Sequence, residues 1–422
     1  MTRRGLDRRA LLGGIGIGAM ASLAAPAWAR TKAKVVIIGG GFGGATAARQ
    51  IKRLLPDTHV TLIEPNKTYM ACPFSNLVIT GQRPLAVQEF SYRGLEREGI
   101  EIVYDRAARV DTKAVTLNGG AQLPYDRLIL SPGIDMRWSA LEGYDQAAAG
   151  RLLHGWKAGP QTTLLQNQLT SLEDGGLVIM SVPAAPYRCP PGPYERASLI
   201  AHYLKTNKPK SKLIILDAKD RFSKMPLFQE AWAQHYPDHL EWRAASQDGR
   251  VSRVDADAMT VSTDFEDIKA AMINVIPPQK AGAIAEVAGV TDATGWCPIN
   301  PVTFESVLQP RIHVIGDATI ASPMPKSAFS ANLQGKLCAI AVAQMLGGEQ
   351  PKPTILANTC YSYTAPQEAV SIVGVYTNNG GQFSSIEGAG GLSPSGAPIA
   401  VRRAEAAQAE SWFKAVTEEA FG

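Results

Sequence analysis

The stretch from residue 34 to residue 64 constrains this chain more than any other. KVVIIG is a short buried-strand pattern that runs into Gly39-Gly40-Gly41-Phe42-Gly43-Gly44, followed by an alanine-rich helical segment, ATAARQIKRLL, and a second strand, HVTLIEP. Strand, glycine turn, helix and a second strand ending on an acid make a βαβ unit. Gly39, Gly41 and Gly44 occupy the G-x-G-x-x-G positions. The first permits the tight turn, the second lets backbone approach a pyrophosphate, and the third lets helix pack closely on strand. Glu64 lies 20 residues beyond Gly44, where a carboxylate can accept hydrogen bonds from a ribose. The unit predicts a dinucleotide-binding site.

Ahead of it, residues 1–29 carry Arg3-Arg4 and Arg8-Arg9, then an uncharged run of Leu, Gly, Ile, Ala and Met that closes on Ala27-Trp28-Ala29. Arg8-Arg9-Ala10-Leu11-Leu12 fits a twin-arginine signal with an A-x-A cleavage site. An uncleaved anchor is the alternative, disfavoured by the glycine content. The expected destination is the periplasm, reached already folded around a cofactor. Without these residues the formal net charge falls from +4 to +1, which leaves no basic excess for nucleic acid. The remaining 393 residues suffice for two or three domains. Five cysteines is an odd number for an oxidising compartment, so at least one stands outside any intrachain disulfide.

Two later stretches bear on which dinucleotide is held. Residues 125–133 (YDRLILSPG) and 311–318 (RIHVIGDA) are strands that end in small-residue turns, the second on Gly316-Asp317. Both resemble signatures of two-dinucleotide flavoproteins of the glutathione-reductase-like class. That resemblance implies FAD, with Asp317 at its ribityl and phosphate end. It also implies an α/β fold of two Rossmann-like dinucleotide-binding domains plus a C-terminal α+β interface domain. The expected bounds are 30–140 with 295–350 for the discontinuous FAD domain, 141–294 for the second domain and 351–422 for the third. One departure is specific. After the strand at residues 176–182 comes PAAPYRCPPGPYERAS, in which proline removes N–H groups that would cradle a pyrophosphate. Tyr187 and Arg188 stand where glycine is needed, so no NAD(P)H site is expected. The turn carries Cys189 instead. Residues 351–376 read as irregular chain followed by a strand, and the C-terminus as an amphipathic helix.

Cys189 and Cys360 lie 171 residues apart, and both read as being in or before loops. Spacing alone leaves open whether they form a structural crosslink or a working pair. Cys338, in GKLCAIAVAQML, reads as a buried core thiol; Cys297, in GWCPIN, is either free or paired with Cys338. The six histidines show no ligand spacing, so no metal is expected.

The segments VVIIGGGFGGATAA, VTLIEPN, CPFSN, PAAPYRCPPGPYERAS, VIPPQKAG, GWCPIN, VIGDA, PMPKSAFSANLQGK and NTCYS resemble the flavoprotein subunit of flavocytochrome c sulfide dehydrogenase and, more distantly, sulfide:quinone oxidoreductases. The resemblance implies a redox-active Cys189–Cys360 disulfide over the flavin, and Cys72 bonded as a thioether to the flavin 8α-methyl; a free Cys72 is the alternative. Eight residues separate Cys72 from Glu64, at most roughly 26–29 Å of extended chain, which lets the polypeptide follow an extended FAD. The implied reaction oxidises sulfide to sulfur or polysulfide, with hydrosulfide attacking the disulfide. Glu195, six residues after Cys189 at a helix start, either takes the proton or is a carboxylate stabilised by the helix dipole. Lys326 just precedes another helix, whose N-terminus could stabilise negative charge at the flavin N1–C2 carbonyl; the alternative is a solvated lysine. The chain holds no C-x-x-C-H sequence, so a haem must belong to a separate c-type cytochrome. The C-terminus, rich in Ala, Glu and Arg with a lone Trp412-Phe413 pair, offers little apolar surface for a membrane. A membrane-associated sulfide:quinone oxidoreductase is the alternative.

Overall fold

Two parallel sheets organise residues 33–422, which the computed structural model describes. The export signal expected at residues 1–29 lies outside the described residues. In the first unit, β1 (Lys34–Ile38) leads through the glycine turn into α1 (Phe42–Leu54), then β2 (His59–Ile63), β3 (Glu101–Val103) and β4 (Arg127–Leu130). The second unit holds β5 (Leu177–Val182), α2 (Gly192–Asn207), β6 (Lys212–Asp217), α3 (Met225–His235), β7 (Leu240–Arg243) and β8 (Met272–Val275). The chain then returns to the first unit as β9 (Ile312–Val314) and α4 (Ala328–Leu346). It finishes with the strands β10 (Ile355–Ala365) and β11 (Glu368–Thr377) and the helix α5 (Ile399–Phe421).

The first sheet has the order β9-β4-β1-β2-β3 and the second the order β7-β6-β5-β8, with every pair parallel. The strand sequences explain this. KVVII, HVTLI, LVIMSV and KLIILD are nearly continuous apolar runs, buried from their second residue onward, as strands covered on both faces must be. Both units have the Rossmann strand order, and the fold is the expected two-dinucleotide α/β architecture. Helix α4 lies so close on α1 that a Cβ at Gly335 would sit 2.5 Å from the Gly43 carbonyl oxygen, which locks the late segment onto the glycine turn.

The third unit departs from the reading of irregular chain before a strand. Strands β10 and β11 form a long antiparallel hairpin, and Cys360 sits mid-strand opposite Ile372 rather than in or before a loop. The reason is chemical. Beyond Leu356, the residues buried on the inward face of β10 are Asn358, Ser362 and Thr364, so the inward positions are mostly polar and the usual apolar-in alternation is missing. Asn358 and Ser362 are satisfied by partners from other elements. The Ser327 and Ser330 hydroxyls donate to Asn358 Oδ1 at 2.6 and 3.1 Å, and the Lys224 ammonium donates to Ser362 Oγ at 2.7 Å.

Candidate active site

At one end of the site the glycine turn has no room for side chains. Gly39 has a φ of +99°, and a Cβ there would lie 2.3 Å from the Ser131 carbonyl oxygen; a Cβ on Gly44 would lie 1.9 Å from the Gly39 carbonyl oxygen. A Cβ on Gly41 would meet only the Tyr69 ring, at 3.3 Å. Glu64, at the tip of β2, accepts from the Gly40 N–H at 3.0 Å through one oxygen and from Asn66 N and Nδ2 at 3.0 and 2.8 Å through the other. The carboxylate therefore braces the turn besides facing the cavity.

From this turn a cavity of about 840 Å³ runs to the other two units, lined among others by Glu64, Cys72, Asp317, Cys189 and Cys360. Cys72 follows a short strand. Its Sγ accepts from the Ala158 N–H at 3.4 Å, so the CPFSN segment is held against the loop that leads into the second unit. Asp317, at the start of the turn after β9, has a buried Oδ1 with no hydrogen-bond partner and an Oδ2 3.9 Å from Arg188 Nη1. Burial raises its carboxyl above the usual range, while Arg188 and Lys326 pull the other way. A buried acceptor aimed into a cavity that ends at a glycine turn is what a ribityl hydroxyl would satisfy. The residues present fit a bound FAD.

The far end holds the sulfur chemistry. Cys189 precedes α2 with a φ of +56°, a left-handed conformation that is uncommon without glycine and marks local strain. Its N–H donates to the Lys326 carbonyl at 2.8 Å, which ties the cysteine turn to the segment entering α4. Cys189 and Cys360 are free thiols here, and both line the cavity. The interaction between the two thiols pushes Cys189 well up, reinforced by burial, and pulls Cys360 down to about 7, helped by Lys224 against burial and Glu195. Of the two thiols, Cys360 is the one shifted toward the thiolate.

Glu195, in the first turn of α2, accepts from Asn76 Nδ2 at 2.8 Å and from the Tyr363 N–H at 2.9 Å, and it lines the same cavity. Burial raises its carboxyl, opposed by those hydrogen bonds and by Lys224 and Arg196. A carboxyl lifted in this way and set beside two sulfurs can take or return a proton. Asn76 is oriented by Arg196, whose Nε donates to its Oδ1 at 3.0 Å. The same buried guanidinium donates to the His154 and Gly155 carbonyls at 2.7 Å each. Neither Asn76, Arg196 nor Lys224 was singled out from the sequence. What makes them matter is their burial among polar partners, which no local pattern announces.

Lys326 departs from the reading of a solvated lysine. It is neither solvated nor directed into the cavity. Its ammonium donates to the Asp317 and Thr319 carbonyls at 2.8 and 2.6 Å and lies 3.8 Å over the Trp296 ring. Burial lowers it to about 8. What does line the cavity beside it is the start of α4, at Ser327, Ala328 and Phe329. Cys297 and Cys338, left open as a pair, are separate free thiols, both fully buried and packed in different parts of the core. Among the described residues no cluster of three or more His, Cys, Asp or Glu could hold a metal ion.

The second Rossmann unit has its nucleotide positions filled from within. Asp217, at the tip of β6 where a ribose-binding acid would stand, is fully buried. It accepts from Tyr194 OH at 2.6 Å and Trp242 Nε1 at 3.1 Å, and pairs with Lys219. Phe222 stacks on Tyr194 with ring centroids 3.6 Å apart. Tyr187 is buried in the turn, and Arg188 points away toward Asp317.

Residues 162–277 match the family described as sulfide dehydrogenase (flavocytochrome c) flavoprotein chain, central; residues 352–421 match flavocytochrome c sulphide dehydrogenase, flavin-binding; residues 33–165 match pyridine nucleotide-disulphide oxidoreductase. The sulfide dehydrogenase (flavocytochrome c) flavoprotein chain of Chlorobaculum thiosulfatiphilum is 51% identical over 45 residues, 11% of this chain and 94% of that sequence. The mitochondrial sulfide:quinone oxidoreductase of Mus musculus is 23% identical over 337 residues, 76% of this chain and 73% of its own. A solved structure of the sulfide:quinone oxidoreductase from the hyperthermophilic bacterium Aquifex aeolicus shares the fold, with a TM-score of 0.72 at 18% identity over 92% of each chain. The first Rossmann unit alone would fit any member of the wider class; the second and third units, which hold the cysteine pair, narrow it, and the chain belongs to the flavocytochrome c sulfide dehydrogenase flavoprotein family.

Proposed function

We propose that this chain is the flavoprotein subunit of a periplasmic sulfide dehydrogenase, which oxidises hydrosulfide at the Cys189/Cys360 pair and passes the electrons through FAD to a c-type cytochrome. That it is a sulfide-oxidising FAD flavoprotein follows from its family. The observation that carries the finer reading is the single cavity that brings Cys189, Cys360 and Glu195 together with the glycine turn and Asp317.

In the resting state Cys189 and Cys360 are joined as a disulfide. Hydrosulfide attacks one sulfur and breaks the S–S bond, leaving a persulfide on that cysteine and a thiolate on the other. Glu195 takes the proton of the persulfide. The sulfane sulfur then leaves to an acceptor sulfur species, and re-forming the disulfide releases two electrons. FAD, held by the glycine turn, Glu64 and Asp317, would supply a two-electron acceptor for that pair that can be reoxidised in single-electron steps. The chain's own part is to hold the two sulfurs in contact, keep one charged and keep a proton acceptor beside them.

Cys72 is proposed to carry the flavin as an 8α-thioether, which would prevent cofactor loss in an open compartment. Acid precipitation of the purified protein is expected to leave yellow, fluorescent flavin on the polypeptide, and Cys72→Ser to release it to the supernatant. Flavin found free from the parent protein would refute the bond.

The filled second unit bears on the electron donor. NADH and NADPH are expected to bind weakly and to leave the flavin oxidised over many minutes of anaerobic incubation, because Asp217 is already occupied and the turn lacks glycine. Rapid bleaching by either nucleotide would overturn this assignment.

A sulfide:quinone oxidoreductase is the second reading, favoured by a relative of that name that aligns with 76% of the chain. Among the described residues no helix is long and apolar enough to cross a membrane. The two readings separate on the acceptor that reoxidises the sulfide-reduced protein.

A further inference from the structure

Lys224 stands outside every role assigned so far, yet its ammonium is one of the most buried charges in the molecule. The residue is 3% exposed, and Nζ donates to the Cys360 carbonyl at 3.0 Å, to Ser362 Oγ at 2.7 Å and to the Val370 carbonyl at 3.4 Å. All three acceptors belong to the β10–β11 hairpin, whereas Lys224 belongs to the second unit. Its backbone is left-handed, with a φ of +62°, at the N-cap of α3. Two residues in this conformation, Cys189 and Lys224, thus face the same short stretch of β10 from the second unit.

Burying a lone ammonium is costly unless something uses the charge. Neutral hydrogen bonds to two carbonyls and a hydroxyl satisfy its protons without neutralising it. Four titratable groups face it: Cys360 from β10, Cys189 and Glu195 from the turn and first residues of α2, and Glu405 from α5. Glu405 is itself engaged by the Ser371 and Ser393 hydroxyls at 2.9 and 2.6 Å and by Arg402 at 3.7 Å. Glu195 is held by Asn76 and the Tyr363 N–H. Of the four, Cys360 is the one whose own backbone carbonyl the ammonium holds, at 3.0 Å.

We infer that Lys224 is a positioning residue for the redox pair: it fixes the negative charge of the reduced pair on Cys360 rather than Cys189, with Glu195 as the opposing charge that limits how far. This rests on the proposed use of the pair, but it concerns only where its charge sits. Burial lowers the lysine itself, and the sulfur charge raises it back, so the two groups support each other's ionised forms.

The test is a thiol titration of the fully reduced holoprotein under anaerobic conditions. Brief iodoacetamide pulses across a pH series, followed by peptide mapping, give the midpoint at Cys360 separately from the other four cysteines. Lys224→Met is expected to raise that midpoint by about one pH unit or more, so that alkylation of Cys360 below the parent midpoint slows about tenfold. Lys224→Arg should stay near the parent, because the charge remains. Glu195→Gln should move the midpoint down. A role confined to packing moves none of these in a charge-dependent order. Unmoved midpoints in folded, flavin-bearing Lys224→Met and Glu195→Gln would overturn the inference. If Lys224→Met does not fold, Glu195→Gln decides alone, since an unchanged or higher midpoint contradicts it. No sulfide is used, so loss of sulfide oxidation with the predicted titration order would defeat the proposed reaction and leave this inference standing.

Discussion

Cys189→Ser and Cys360→Ser are each expected to abolish bleaching of the flavin by sulfide, with a loss of several orders of magnitude, while dithionite still reduces the ring. In either variant hydrosulfide has no S–S bond to break, and a serine oxygen cannot stand in as the leaving group. Bound flavin should persist, because the glycine turn, Asp317 and Cys72 lie at other points of the cavity wall. A structural crosslink predicts the opposite pattern. Its removal would lower stability by about 2–5 kcal/mol and leave sulfide-driven reduction intact in whatever protein folds. Cys297→Ser and Cys338→Ala are the controls. Both thiols are fully buried away from the pair, so each variant should retain turnover and lose only packing energy. A folded, flavin-loaded Cys189→Ser protein that oxidises sulfide at the parent rate would remove the pair from the mechanism.

Gly44→Ala is expected to be almost as severe, for a different reason. The added Cβ would sit 1.9 Å from the Gly39 carbonyl oxygen, and both partners are backbone, so the turn must open rather than a side chain swing aside. Displacing Gly39 disturbs its N–H, which donates to the Ile63 carbonyl at 3.0 Å, and with it the tip of β2 that carries Glu64. The structural penalty should be about 1–3 kcal/mol, and flavin loading should fall at least about tenfold because the pyrophosphate cradle is lost. The flavin-to-protein absorbance ratio of the purified variant, with a thermal melt beside it, measures both. Full flavin loading in Gly44→Ala would mean that the turn does not cradle the cofactor.

What could be read in the sequence follows from where the information is local. The first βαβ unit was legible because strand, glycine spacing and terminal acid all lie within residues 34–64 and each has one geometric purpose. The turn around Cys189 was legible because prolines, Tyr187 and Arg188 are incompatible with a phosphate cradle wherever they occur. Cys360 was misplaced as a loop residue because the inward face of β10 is mostly polar, and the partners of its polar residues, Ser327, Ser330 and Lys224, come from positions 28 to 138 residues away. Lys326 was assigned by proximity to a helix start; only the fold shows its ammonium turned back onto the Asp317 and Thr319 carbonyls and the Trp296 face. Asn76, Arg196 and Lys224 carried no signal at all. A buried charge looks like a surface one until the elements around it are assembled.

The central claim is that electrons enter from sulfide at the cysteine pair and leave to a c-type cytochrome. Anaerobic titration of the purified holoprotein with sulfide, followed by mixing with oxidised cytochrome c or with a short-chain quinone in detergent, addresses it directly. Sulfide should bleach the flavin near stoichiometrically, and cytochrome c should restore its colour while becoming reduced, at a rate well above that with quinone. A flavin that sulfide leaves yellow, or one that only quinone reoxidises, would contradict this account.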